Sequence, residues 1–313
     1  MAVAGYSSYI ANSVLSAFLC YTTIMLNSVT IYAIRKTSSL QKPLRTLLLS
    51  LAVSDLCVGL LVQPLHIALL VMQLEPDIEN NSTYQKTYFA YLATVNLLYY
   101  TTFFGVTTLT VDRFLAIRLH LRYQEFVTHK RVVAVVILIW VSCAFISLMG
   151  LWVLARKTRY IVFTTVEIFC FILTALLYYK IYLAVRHHAN QIRTLQVQEE
   201  AQSGEMANVA IRLRKSAIGT FYVYLVFLVC YLPNNCFYFA TFKSGWSTNV
   251  KILASYAATL VFLNSSLNPL IYCWKLRQVR HAVMNILRKI WTSCNWEILY
   301  EVKVKQSTNT VLD

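Results

Sequence analysis

Phe103-Phe104-Gly105-Val106-Thr107-Thr108-Leu109-Thr110-Val111-Asp112-Arg113-Phe114 ends an apolar stretch, residues 87–112, with an acid and a base side by side. A fixed Arg where hydrocarbon meets water is costly unless the fold uses it, so Asp112-Arg113-Phe114 marks a switch at a membrane boundary. Working outward, two more apolar stretches hold polar groups at depth. Asp55 lies in the middle of Leu51-Ala52-Val53-Ser54-Asp55-Leu56, and Asn268-Pro269-Leu270-Ile271-Tyr272 lies near the end of the last stretch.

The chain has 313 residues, 58% of them hydrophobic and 13% charged. That much apolar surface cannot be hidden in one water-soluble core, and the stretches at 9–34, 45–73, 87–112, 131–154, 160–185, 216–242 and 251–274 each match the ~20 residues that cross a bilayer. Seven spans place the termini on opposite sides. One set of connecting segments carries 22 of the 28 basic residues, and the other carries only Lys86, Arg156, Lys157, Arg159, Lys243 and Lys251. Basic residues gather on the cytoplasmic side, so the N-terminus is expected outside and the C-terminus in the cytoplasm, in the plasma membrane. Topology and anionic inner-leaflet lipid account for the net charge of +15, with no need for nucleic acid. Met1 to Tyr9 carries no basic run, so the first span is expected to be an uncleaved anchor. Eight Cys residues show no paired or metal-binding spacing, and seven of them fall within apolar stretches.

The expected organisation is an all-α, seven-transmembrane bundle at 9–274, after a short extracellular N-terminus at 1–8. An amphipathic helix at 275–291 follows on the inner membrane face, then a cytoplasmic tail at 292–313. The amphipathic helix carries Leu276, Val279, Val283, Ile286, Leu287 and Ile290 on one face and bases on the other. Cys294, just beyond it, is a palmitoylation candidate. The segment from Arg186 to Lys215 is the longest polar connection, and its first part reads as a helical extension of the fifth span. Between the second and third spans, Asn80-Asn81-Ser82-Thr83 offers two overlapping glycosylation sites, Asn80 and Asn81.

These features together resemble the rhodopsin-like (class A) G protein-coupled receptors over roughly residues 9–292. The resemblance rests on Asn27, Leu51 to Leu56, Asp112-Arg113-Phe114, Trp140, Tyr178 with Ile181, Cys230-Tyr231-Leu232-Pro233 and Asn268 to Tyr272, in order and at matching depths. It implies an extracellular ligand, a heterotrimeric G protein, and arrestin and receptor kinase as further partners. It also implies outward movement of the sixth span on hinges at Pro233 and Pro269. Arg113, released from Asp112, would then meet the G protein, with Phe114, Tyr178, Tyr231, Asn268 and Tyr272 completing the switch. No resident cofactor is expected, although the resemblance implies an allosteric sodium ion near Asp55, held with Thr102, Asn264 and Ser265. Asn27 and Asn268 are further candidate partners of that carboxylate.

Several positions depart from the family pattern. Tyr88 stands where most members have the Cys of an outer disulfide, and the Cys-free connection Ala155 to Tyr160 offers no partner for one. Cys170 stands for a Pro in span five, Tyr231 for a Trp in span six, and Leu213 for an acid that often restrains the Arg of span three. The missing disulfide, short second outer loop and absent Pro are similar to the melanocortin, lysophospholipid, cannabinoid and adenosine receptors.

Val95 stands where amine receptors use an Asp, and Phe262 where opsins use a Lys, so monoamines are disfavoured and retinal is excluded. A small or lipophilic molecule or a short peptide is expected, with His66, Asn96, Tyr99, Glu167, Asn234, Asn235 and Tyr238 as candidate contacts. Glu167 lies two turns inside span five. It is read either as a counter-charge for a ligand amine or for His66, or as a structural carboxyl that is kept protonated between helices or reaches Arg159. An alternative function is an ion-coupled transporter or channel that uses Asp55 and Glu167, but it would require inverted repeats and broken half-helices. Enzyme activity is not expected, because the chain has no intramembrane His pair with acids, no Ser-Lys dyad and no HExxH.

Overall fold

In hydrocarbon, long apolar runs have one local way to satisfy their backbone N–H and C=O groups, which is the α-helix. The computed structural model describes residues 2–37, 40–75, 78–119, 122–153, 156–195, 218, 221–237, 248–275, 277–286, 288 and 291–292, and their regular structure is entirely helical. The helices are α1 (Ala2–Lys36), α2 (Lys42–Cys57), α3 (Gln63–Met72), α4 (Ser82–Leu119), α5 (Tyr123–Phe126), α6 (His129–Val153), α7 (Arg156–Leu195), α8 (Phe221–Phe237), α9 (Thr248–Lys275) and α10 (277–286). Helices α2 and α3 form one span, joined by a π-turn at Val58–Val62. Pro64 sits directly after that turn. Its ring cannot tolerate a regular preceding turn, and the wider turn absorbs the conflict. Among the described residues, six spans are long and apolar enough to cross a bilayer, and the shorter apolar α8 occupies the place of the sixth in chain order.

Several helices run past the apolar stretches that predict them. Helix α1 begins at Ala2, within the segment expected as an extracellular tail, and α7 begins at Arg156, so Arg156 to Tyr160 are helical although expected to form a loop. Neither segment contains a Pro to stop a helix, so hydrogen bonding continues beyond the hydrocarbon boundary. Asn81 caps α4, its Oδ1 accepting the Thr83 N–H at 2.8 Å. Helix α7 extends to Leu195, as expected for span five. Leu213, Leu276, Leu287, Ile290, Cys294 and the outer parts of the sixth apolar stretch lie outside the described residues.

The bundle buries polar groups among its apolar core and exposes apolar side chains on its outside. Asn12, Asn27, Asp55, Asn264 and Asn268 are each 0% exposed, whereas Trp152 is 80% and Val229 67% exposed on the outside. Lipid tails remove the hydrophobic drive between spans, leaving close packing and polar contacts to hold them together. Helix α4 runs centrally, packing on α2, α3, α6 and α7. Phe103 of α4 sits in an aromatic cluster with Phe171, Phe227 and Tyr231. Helix α1 is joined to α9 by a polar seam. Asn12 Nδ2 donates to Ser255 Oγ at 3.0 Å, Thr259 Oγ1 donates to Asn12 Oδ1 at 2.8 Å, the Ser16 and Thr259 hydroxyls are 3.2 Å apart, and Thr23 pairs with Ser266 at 2.7 Å. Asn27 Nδ2 donates to the Ser265 carbonyl at 2.9 Å. In α10 the apolar face turns inward, with Val279 fully buried and Val283 packed against the main core.

Candidate functional site

At the end of α4, Asp112 and Arg113 form a buried ion pair, 4% and 3% exposed. Arg113 Nε donates to Asp112 Oδ2 at 2.9 Å and Nη2 donates to the same oxygen. The Tyr123 hydroxyl of α5 donates to Asp112 Oδ1 at 2.6 Å. Burial, then the negative charge of Asp112, pushes the Tyr123 hydroxyl well above its ordinary range, so it remains a donor at physiological pH. Arg131 of α6 anchors this short helix by donating to the carbonyls of Glu125 and Phe126. Sequence reasoning missed Tyr123, because nothing in an eleven-residue spacing shows that the chain folds back onto Asp112. Phe114 packs against the cluster of Ile117, Tyr178, Ile181 and Tyr224. The Tyr178 hydroxyl accepts a hydrogen bond from Thr110 at 3.3 Å, whereas the Tyr272 hydroxyl is buried without a partner. Each tyrosine therefore has a hydroxyl environment of its own. Pro233 and Pro269 lie inside α8 and α9.

Deeper in the bundle, Asn268 Nδ2 donates to Asp55 Oδ2 at 2.9 Å. The other expected partners turn elsewhere. Asn27 bonds the carbonyls of Thr23 and Ser265, and the Thr102 hydroxyl lies 3.5 Å from that of Ser54. Asp55 Oδ1, Asn264 Oδ1 and Nδ2, Asn268 Oδ1 and Asn27 Oδ1 are buried without hydrogen bonds. A cavity of about 10 Å³ lies between Thr102 and Ser265, roughly the space of one water-sized sphere. That cavity is walled mainly by apolar side chains, and it is the orphaned hard oxygens themselves that suit a small hard cation.

Toward the opposite end from Arg113, a cavity of about 80 Å³ is lined by Asn96, Tyr99, Glu167 and Asn234 and by aromatic walls from Tyr91, Tyr100, Phe163 and Phe262. It adjoins a vestibule of about 670 Å³, the two sharing Tyr91, Leu92, Arg159, Asn234 and Ala258. Glu167 is 5% exposed. Its Oε1 accepts the Tyr99 hydroxyl at 2.6 Å and the Asn235 amide. His66 lines the vestibule instead, against Tyr91 and Phe262 with ring centroids 5.7 and 5.1 Å away and its Nε2 unpartnered. The hydrogen bonds of Glu167 therefore run to Tyr99 and Asn235, while His66 rests on aromatic rings. Tyr238 lies outside the described residues. Tyr91, Tyr100 and Phe163 escaped sequence reasoning, since an aromatic residue on a span reads equally well as lipid-facing. At the vestibule rim Lys251 pairs with Glu79, next to exposed Asn80 and Asn81.

A seven-span bundle with a buried acid-base pair at one end and a polar cavity at the other defines a transmembrane receptor of the signalling class. The sequence model of the 7 transmembrane receptor (rhodopsin family) matches residues 26–160 and 153–272. The chain belongs to this family of G protein-coupled receptors. Among its relatives, adenosine receptor A2a of Cavia porcellus is 25% identical over 85% of this chain and 69% of its own length. Adenosine receptor A2b of Canis lupus familiaris is 24% identical over 90% of both chains, and A2b of Gallus gallus 24% over 88% of both. The family match carries the receptor reading and not the alternative of a transporter using Asp55 and Glu167.

Proposed function

We propose that this receptor lies with its N-terminus outside the cell, binds a ligand in the aromatic cavity beneath the vestibule, and activates a heterotrimeric G protein from the Asp112–Arg113 end. The observation that carries this reading is the closed set of Asp112, Arg113 and Tyr123, which holds a buried guanidinium at the end of α4. Ligand binding favours a state in which α8 swings about Pro233 and Arg113 leaves Asp112 to face the G protein. Asp55, Ser265, Asn264 and Thr102 hold a sodium ion whose charge compensates the buried carboxylate. Asn80 or Asn81 carries the glycan on the outer face, and Cys294 is acylated on the inner one.

The test is nucleotide exchange on a purified G protein. Arg113→Ala is expected to abolish exchange while the cavity, most of a membrane thickness away, retains ligand binding. Exchange at the wild-type rate in a well-expressed variant would sink the coupling mechanism.

A further inference from the structure

At the Arg113 end of the bundle, α8 is held between two neighbours. On one side Tyr224 stacks on Tyr178 of α7 with ring centroids 5.3 Å apart, inside the cluster that also takes Phe114 of α4. On the other side Tyr222 meets Trp274 of α9, with centroids 5.3 Å apart and planes tilted by 56°. These two rings form an open cradle for the ammonium of Lys275, which lies 3.4 Å from the Trp274 centroid and 3.9 Å from that of Tyr222. A cation over an aromatic face is attracted by the ring quadrupole, and more strongly as water is removed. Tyr222 is half-buried and packs against the main core, so its face is partly dry.

Lys275 closes α9, where a cation also suits the helix dipole. The dipole accounts for a base in the last turn but not for its direction, since a lysine stem readily leaves its ammonium in water. Here the ammonium turns back across the gap to α8. The backbone around it is fixed on both sides, by α9 before it and by α10 after it, where Val279 is fully buried. Trp274 belongs to the same helix as Lys275 and keeps its contact wherever α8 lies, whereas Tyr222 belongs to α8 and meets the ammonium only while α8 stays close.

Resting on the coupling reading above, we infer that Lys275 is a positioning residue of the switch: seated on Tyr222 and Trp274, its ammonium holds α8 against α9 and is released from Tyr222 when α8 swings outward. The contact exists in one of the two arrangements only, so its whole strength favours the closed one.

The experiment measures ligand-free nucleotide exchange on a purified G protein by the full-length receptor, beside Arg113→Ala, which is expected to be silent. Lys275→Met keeps the stem and removes the charge, and exchange should rise roughly fivefold. Tyr222→Leu removes the ring and should give the same rise. Lys275→Arg and Tyr222→Phe keep a cation over a ring and should stay at the wild-type rate, a rescue that a packing role alone does not give. The double variant Lys275→Met, Tyr222→Leu should be no faster than either single one, because both changes remove the same contact. Lys275→Met no faster than wild type while Arg113→Ala is silent, equal rises in Lys275→Met and Lys275→Arg, or effects that multiply in the double variant would each overturn this inference alone. Exchange persisting in Arg113→Ala would overturn the coupling reading and this inference with it. If Lys275→Met fails to fold, Tyr222→Leu against Tyr222→Phe decides the same question.

Discussion

Asp112 is held through both of its oxygens, one by Arg113 and the other by Tyr123. Hydrogen bonds to charged groups contribute about 1.5–3 kcal/mol, and the Tyr123 bond restrains the switch by holding the acid that holds Arg113. Tyr123→Phe removes only the hydroxyl and keeps the ring packed. Ligand-free nucleotide exchange should therefore rise roughly tenfold, and an unchanged basal rate would mean that Tyr123 does not restrain the switch. At Asp55 the argument concerns an ion, since Oδ1 is buried without a partner, as are the side-chain oxygens of Asn264 and Asn268. The purified wild-type receptor should melt at a higher temperature in sodium chloride than in choline chloride at equal ionic strength, because an ion that binds the folded state stabilises it. Asp55→Asn should remove that difference. Equal melting temperatures for wild type in the two salts would reduce the site to a polar knot between helices.

Helices in lipid stay together where they approach closely. Gly59, within the π-turn between α2 and α3, is such a point, since a Cβ there would lie 2.9 Å from Ile24 Cγ1 and 3.4 Å from the Ile24 backbone nitrogen. The Gly59 carbonyl also accepts a hydrogen bond from Cys20 Sγ at 3.2 Å. Gly59→Ala should force α1 away from this turn and lower stability by about 1–3 kcal/mol, the usual consequence of overpacking, read as a fall in melting temperature. An unaltered melting temperature would show that α1 shifts without penalty. The seam from α1 to α9 also belongs to this scale. Its polar residues Asn12, Ser16, Thr23 and Asn27 recur on one face of α1 and are visible as a stripe in the sequence. Their partners Ser255, Thr259, Ser265 and Ser266 are identifiable only once α9 is known to lie against α1, because more than 230 residues of chain separate the two helices.

For the whole molecule, the seven described cysteines are free thiols, and Tyr88 lies in α4. A mild impermeant reductant should leave ligand binding intact, and a clear loss of binding would reveal an outer disulfide elsewhere. The sequence by itself determined the membrane class, the number and order of the spans, and the depth of Asp55, Asp112, Arg113, Glu167 and Asn268. A bilayer imposes a length and a hydropathy on each span, and both are properties of consecutive residues. The boundaries were less legible, because helical hydrogen bonding carries α1 and α7 past the point where apolar composition stops. Tertiary structure alone decided that Tyr123 caps Asp112, that Tyr99 and Asn235 orient Glu167, that Thr102 turns to Ser54, and that Arg159 lines the same cavity as Glu167. Each of these depends on how one helix is rotated against another. That rotation is set by the summed packing of side chains distant in the chain, which no local pattern of residues encodes.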